Sequence, residues 1–288
     1  MKEGVYGLFK LLNISYKLIM LKTEVAESVK CKFCGKNLKQ EKFIIIIGDI
    51  ETKINRELER CNCIQAKEFW KLHDYKKRKE IELQEKREKD RRINMLYEKS
   101  KMHSRLKGYS FQNFKITKEN ERAYCKAKEY AESIKNGEKK SLIITGNIGT
   151  GKIHLASSIA NFLIKSEISV VFGTLINLLN EVKDTYTMEN KTESFIIERY
   201  SKVPLLIIDD LGKERPSEWT LEKLFTIINN RYENNLPVVI TTNYNRERLR
   251  ERLANNVNYE IADSIISRLY EMCKGISLNG KDKRKELV

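Results

Sequence analysis

Seven residues, Gly146-Asn-Ile-Gly-Thr-Gly-Lys152, carry the strongest chemical signal in the 288-residue sequence. They follow the apolar run Leu142–Thr145 and precede a helical pattern over Leu155–Lys165. Glycines at this spacing let backbone N–H groups turn inward around phosphate oxygens. The N-terminus of the following helix adds a favourable field, and the Lys152 ammonium neutralises β/γ-phosphate charge. Residues Gly146, Asn147, Ile148, Gly149, Thr150, Gly151, Lys152 and Ile153 are therefore expected to cradle ATP. The last of these departs from the pattern. The loop normally continues with Ser or Thr, whose hydroxyl binds Mg²⁺, and Ile153 offers no oxygen. Magnesium readily keeps several waters, so nucleotide binding should survive; hydrolysis is the step placed in question.

A second constellation lies 57 positions after Lys152, in Pro204-Leu-Leu-Ile-Ile-Asp209-Asp210-Leu-Gly-Lys-Glu214. A buried strand ending in two acids places one carboxylate near Mg²⁺ and the other near the attacking water. The next apolar run ends Ile240-Thr-Thr-Asn243, with an amide at the same end; an Asn there is also an ordinary turn residue.

The cysteines form a third. Cys31-Lys-Phe-Cys34-Gly is a knuckle suited to holding Zn²⁺, and Cys61-Asn-Cys63 follows after 26 intervening residues. Two tight pairs of sulfurs fit a closed tetrahedral structural site, four unrelated thiols being the alternative. So short a zone has little core, and the metal would supply most of its folding energy. Cys125 and Cys273 stand alone and read as small buried residues. The three histidines are scattered; His154 follows the glycine-rich loop on its helix.

The elements that must position these groups fall into four zones. Residues 1–30 form an apolar and basic extension that reads as one amphipathic helix, with Leu8, Leu11, Leu12 and Leu18 on a face. Residues 31–63 form the zinc-binding region around a β-prone run, Phe43–Ile47. Residues 64–107 carry 15 Lys/Arg against 8 Asp/Glu and suit a charged linker helix, with apolar positions such as Ile81, Leu83, Ile93 and Leu96 too sparse for a coiled coil. Residues 108–288 alternate apolar runs (Leu142–Thr145, Val170–Gly173, Leu205–Ile208, Val238–Thr241) with helical stretches (Leu155–Lys165, Leu175–Tyr186, Trp219–Asn234). Buried strands alternating with helices predict an α/β fold, a parallel sheet flanked by helices on both faces.

Composition narrows the partners. Fifty-five Lys and Arg against 40 Asp and Glu give a net charge of +15, which favours a polyanion such as DNA or RNA. The most apolar stretch, Gly4–Leu21, is interrupted by Lys10 and Lys17, while a membrane span takes roughly 20 apolar residues. No membrane association and a cytoplasmic location are the expectation, and reduced cysteines with it.

Taken in order, these motifs resemble the DnaC/DnaI-type helicase loaders of bacteria and phages, AAA+ P-loop ATPases related to the IstB transposition helpers. The resemblance runs from about residue 110 to 284. Its most specific pieces are Leu205–Glu214, Asn230-Arg-Tyr-Glu233, Pro237–Asn243, Ser267-Arg-Leu-Tyr-Glu-Met-Cys273 and Gly280-Lys-Asp-x-Arg284. It implies a metal-associated role for Asp209, a catalytic one for Asp210, and water orientation by Asn243 as sensor 1. Arg268 is similar to an arginine finger reaching a neighbouring subunit, and Arg284 to sensor 2; on composition alone both are surface charges of a basic protein. Implied with these are a replicative DNA helicase and single-stranded DNA as partners, and a homo-oligomer or an assembly on the helicase ring. The family's zinc-bearing N-terminal region agrees with the cysteine pairs. Two other readings stay open: an IstB-like regulator of a transposase on duplex DNA, and a nucleotide-bound adaptor with little hydrolysis, which Ile153 keeps alive.

Overall fold

β-Branched runs buried on both sides build a five-stranded sheet in a computed structural model of the protein. Residues 19–25, 29–38, 41–47, 50–55, 60–187, 192–255, 258–280 and 282 are described, the strands at 19–25, 41–47 and 50–55 by their backbone. The chain divides into two units, Met1–Lys86 and Arg87–Val288.

In the first unit, β1 (Ile19–Val25), β4 (Glu41–Ile47) and β5 (Ile50–Asn55) form an antiparallel sheet in the order β1-β4-β5. A short hairpin, β2 (Val29–Lys30) with β3 (Asn37–Leu38), carries the first cysteine pair at its tip. The expected helix over residues 1–30 is corrected here: Ile19–Val25 is a strand, because it pairs along its whole length with the β-branched run of β4. The remainder of that expectation, Leu8 to Leu18, lies outside the described residues. Helix α1 (Ile64–Lys99) then runs for 36 residues with Ala66 as its buried residue, as a solvated, charge-rich helix should. Ile81 and Leu83 are exposed on it.

The second unit begins within α1 and continues through α2 (Ser104–Lys107), α3 (Glu121–Lys135), β6 (Ser141–Thr145), α4 (Lys152–Lys165), β7 (Val170–Thr174), α5 (Leu175–Asp184), α6 (Glu193–Lys202), β8 (Leu205–Asp209), α7 (Glu218–Glu233), β9 (Val238–Thr242), α8 (Arg246–Ala254), α9 (Tyr259–Met272) and β10 (Cys273–Ser277). The strands lie in the order β10-β6-β9-β8-β7, all parallel. Side chains alternate between two cores. Ile143, Val171, Leu206, Ile208, Val238 and Ile240 face α5 to α9, while Leu142, Ile144, Leu205, Ile207 and Val239 face α3 and α4. Ile93 and Leu96 of α1 pack against the second of these cores. Ser100 caps the outer edge, its carbonyl accepting Phe172 N–H at 2.8 Å.

One buried cation belongs to this framework. Arg231 on α7 is fully buried, donating to Tyr200 O at 2.8 Å and to Pro237 O. Burial pushes its pKa down to about 9. It ties the end of α6 to the start of β9, so the Asn230–Glu233 run has an architectural task.

Candidate nucleotide site and cysteine centre

Strand β6 neighbours β9 and β10, strands that come later in the chain, so a crevice opens at its C-terminal end. The glycine-rich loop fills that position. Gly146, Gly149 and Gly151 have φ of +151°, +78° and +105°, values that only glycine adopts without strain. A Cβ on Gly146 would lie 2.2 Å from Leu278 O, and one on Gly149 would lie 1.7 Å from the Asp282 carboxylate. The segment after β10 therefore passes directly against the loop.

The loop is held from within. Thr150 Oγ1 donates to Asn147 O at 2.9 Å, and Lys152 Nζ donates to Gly146 O and Asn147 O, both at 2.7 Å. The next helix starts differently from its neighbours. Helices α5 to α9 open on Thr174, Thr192, Ser217, Asn245 and Asn258, whose side chains accept a first-turn N–H. Helix α4 opens on Gly151, whose lack of a side chain leaves its first-turn N–H groups to a phosphate.

The acidic strand end stands opposite. Asp209 is nearly buried at the end of β8 and accepts from Thr241 Oγ1 at 2.6 Å. The same Thr241 oxygen accepts Asp210 N–H at 2.8 Å, fixing both acids to β9. Burial raises the Asp209 pKa, the Thr241 bond opposes that, and the Asp210 charge adds to it. Asp210 has a φ of +54°; its carboxylate accepts from Asn243 Nδ2 at 2.8 Å and lies 3.4 Å from Lys213 Nζ. Lys152, Ile153, Asp209, Asp210 and Asn243 line one crevice, so these residues, far apart in sequence, come together.

Sequence reasoning missed the opposite wall, where Arg105, Leu106 and Tyr109 line the crevice. The Tyr109 ring stacks on His154 at 4.3 Å, and Phe114 meets His154 edge-on at 5.0 Å. His154 Nε2 lies 2.9 Å from Asn113 Oδ1 and 3.2 Å from Ser110 O, two acceptors that call for a proton on Nε2. His154 thus fastens the 109–114 segment to the start of α4. Aromatic residues spaced along Tyr109-Ser-Phe-Gln-Asn-Phe114 were the available signal.

The two arginines assigned by resemblance fare differently. Arg268, half-buried on α9, donates to Asn229 Oδ1 at 2.8 Å and to Ser264 O at 3.1 Å. Its guanidinium lies over the rings of Phe225 and Tyr232, 5.1 and 5.7 Å from their centroids. It does not line the crevice around Lys152. Arg284 lies outside the described residues.

In the first unit the four predicted cysteines meet. The Sγ atoms of Cys31, Cys34, Cys61 and Cys63 lie within 4.8 Å of one another, with Cys34 and Cys61 at 3.4 Å. The hairpin tip makes this possible, Cys31 N–H donating to Lys36 O at 2.8 Å and Gly35 N–H to Cys31 O at 2.9 Å. Backbone N–H groups of Phe33 and Cys34 bring the Cys31 thiol down to about 7. At Cys34 the Lys36 N–H also lowers the pKa, but the neighbouring thiols and burial outweigh it and push it up to about 11. Four sulfurs converging on one point are the donor set of a tetrahedral thiophilic ion such as Zn²⁺. Of the two solitary cysteines, Cys273 is half-buried; Cys125 is exposed on α3, correcting the expectation that both are buried. Among the described residues no helix is long and apolar enough to cross a membrane.

Comparison with known proteins agrees with this geometry. The chain is 32% identical over 149 residues to the replicative helicase loader DnaC of Escherichia coli K12, a match covering 51% of this chain and 60% of that protein. It is 28% identical over 155 residues to the phage-like element PBSX protein XkdC of Bacillus subtilis 168, covering 51% and 53%. The chain thus spans no more than about 60% of the length of these relatives. Among solved structures it is similar to DnaI (TM-score 0.52, 27% identity, 64% of this chain and 95% of that one) and to the DnaC helicase loader (0.51, 26%, 61% and 99%). A model of the IstB-like ATP binding proteins matches residues 65–287. A match over that span, centred on a loop and an acidic strand end built for a nucleotide, makes this protein a member of the IstB-like ATP binding family, with the AAA+ fold of its structural relatives.

Proposed function

We propose that the protein is an ATP-controlled helicase loader that delivers a replicative DNA helicase to single-stranded DNA. The observation that carries this reading is the conjunction of two sites in one chain that is similar to the DnaC loaders: a crevice lined by Lys152, Asp209, Asp210 and Asn243, and a four-cysteine centre on a separate unit. ATP lies with its phosphates on Gly146–Lys152, and Mg²⁺ associates with Asp209. Water attacks the γ-phosphorus, giving its proton towards Asp210 while Asn243 orients it, and the bond to the β-phosphate oxygen breaks to leave ADP and phosphate. Arg268, which does not line its own crevice, serves a neighbouring subunit's γ-phosphate, and Arg284 acts as sensor 2. Zn²⁺ held by Cys31, Cys34, Cys61 and Cys63 is structural, shaping a surface that grips the helicase.

The test is capture of the replicative helicase by the full chain. Wild type should retain it and Cys31→Ser should not; no capture by wild type would overturn the reading.

Ile153 favours a second reading, an adaptor that holds ATP without turning it over, because its side chain packs towards the core and supplies no metal ligand. Hydrolysis by wild type equal to that of Ile153→Thr, with and without single-stranded DNA, would remove this second reading. Hydrolysis by the Thr variant alone would establish it.

A further inference from the structure

The cysteine centre carries a feature that zinc ligation does not explain. Among the described residues, the core at this centre consists of Cys31, Leu38, Cys61 and Ala66 with Cys63 and Trp70 against them. Covering an aromatic ring stabilises a folded unit. Yet Phe33, at the hairpin tip, is 37% exposed, and Phe69, in the second turn of α1, is 36% exposed. The two rings lie 5.6 Å apart, and Phe69 continues to His73 at 6.1 Å with the planes 26° apart. Phe33, Phe69 and His73 therefore make a short ladder of accessible rings, its first rung tilted by 53°.

The charge around this ladder is mostly positive, with the Asp74 carboxylate 3.6 Å from His73 Nδ1. Residues 29–38 and 60–79 hold ten Lys or Arg (30, 32, 36, 60, 67, 71, 76, 77, 78, 79) and two acids, Glu68 and Asp74. Asp74 is already engaged by Arg60, whose second nitrogen donates to it at 2.9 Å. Lys32 Nζ lies 4.7 Å from the centre of the Phe69 ring. Lys76 follows three residues after His73 on the same stripe of α1.

We propose that Phe33, Phe69 and His73, flanked by Lys32 and Lys76, form a stacking platform for single-stranded DNA on the cysteine unit. Exposed rings accept unstacked bases, and lysines beside them accept the phosphates; a duplex keeps its bases stacked and has nothing to offer the rings. A protein partner fits the composition less well, since lysine is depleted where proteins bury surface against one another. The ammonium of Lys32, now over the Phe69 ring, moves to a phosphate when a base takes its place. This inference rests on the reading that the protein handles single-stranded DNA, and assigns that contact a place.

Trp70 offers a direct readout, lying edge-on to Phe69 at 5.3 Å. The chain has two tryptophans, so full-length Trp219→Phe leaves Trp70 as the sole reporter. Titration with oligothymidine should quench Trp70, and binding read by anisotropy should weaken about tenfold for each of Phe33→Ala and Phe69→Ala. Phe69→Leu, which keeps the apolar bulk, should weaken binding while retaining the zinc content of wild type. Lys32→Ala and Lys76→Ala should each reduce the salt dependence by about one phosphate contact. Strand binding unchanged in both Phe variants would overturn the platform while leaving the loader reading in place. Unchanged strand binding with loss of helicase capture would make the face a protein docking surface instead. If wild type fails to capture helicase but its strand binding depends on the two rings, the platform stands and the loader reading falls.

Discussion

The cysteine unit and the nucleotide unit hold their sites by opposite means. Beneath the four sulfurs lies a core in which two of the buried residues, Cys31 and Cys61, are themselves candidate ligands. Beneath the glycine-rich loop lies a sheet whose strands β8 and β9 are buried along their whole length, with helices packed on both faces. If the four cysteines hold zinc, ligation and folding of the first unit are one event. In the second, apolar burial holds the sheet, and a site residue is a burden on it, as the buried Asp209 carboxylate shows.

The comparison breaks most visibly on metal removal. A structural zinc contributes on the order of 10 kcal/mol to a small module, so chelation or Cys31→Ser should abolish protection of residues 29–38 and 61–70 in hydrogen exchange. Nucleotide binding should persist. Loss of both together would mean that the two sites are not independent.

Next in size is Arg231→Ala in the nucleotide unit. Truncation strands Tyr200 O and Pro237 O and opens a cavity, and removing one member of a buried polar set costs about 3–5 kcal/mol. Urea unfolding of the Arg87–Val288 unit should register that loss. A loss below about 1 kcal/mol would show that the two carbonyls find other partners.

Lys152→Ala should act on function with little effect on stability. The bonds it gives to the Gly146 and Asn147 carbonyls are ones water can satisfy, whereas a triphosphate loses a charge-assisted partner worth roughly 3 kcal/mol, or about a hundredfold in affinity. Fluorescent-nucleotide titration beside a thermal melt separates the two effects.

Legibility in the sequence follows the same division. Strands β6 to β9 were readable because burial on both faces forces continuous apolar runs. Strand β10, Cys273-Lys-Gly-Ile-Ser277, was not, because it pairs with β6 alone and buries only Ile276. The cysteine pairs were readable from spacing, but not the rings of Phe33 and Phe69, since exposure depends on how the hairpin tip meets α1. Arg231 was hidden by its charge. Its place seven residues after Leu224 and four after Ile227, both buried on α7, was the signal that it faces the core. The contacts of Asn243 with Asp210, and of His154 with residues 110–113, needed the third dimension.

The smallest effect is the most diagnostic of the burden that the nucleotide site places on its fold. Burial raises the Asp209 pKa from its ordinary value, so the folded state holds this proton more tightly than the unfolded one. The sign follows from linkage: the folded state binds more protons, so stability falls as pH climbs from the ordinary carboxylate range through the folded pKa. Asp209→Asn keeps an oxygen to accept from Thr241 and removes the buried charge. Without nucleotide, the variant should melt above wild type near neutral pH. That advantage should vanish on acidification, where wild type is protonated as well. With Mg²⁺ and ATP the order should invert, because wild type gains a ligand that the variant holds poorly. A variant less stable than wild type without nucleotide would mean that Asp209 is anchored as a structural acid, and that the nucleotide unit, like the cysteine unit, depends on its site for its fold.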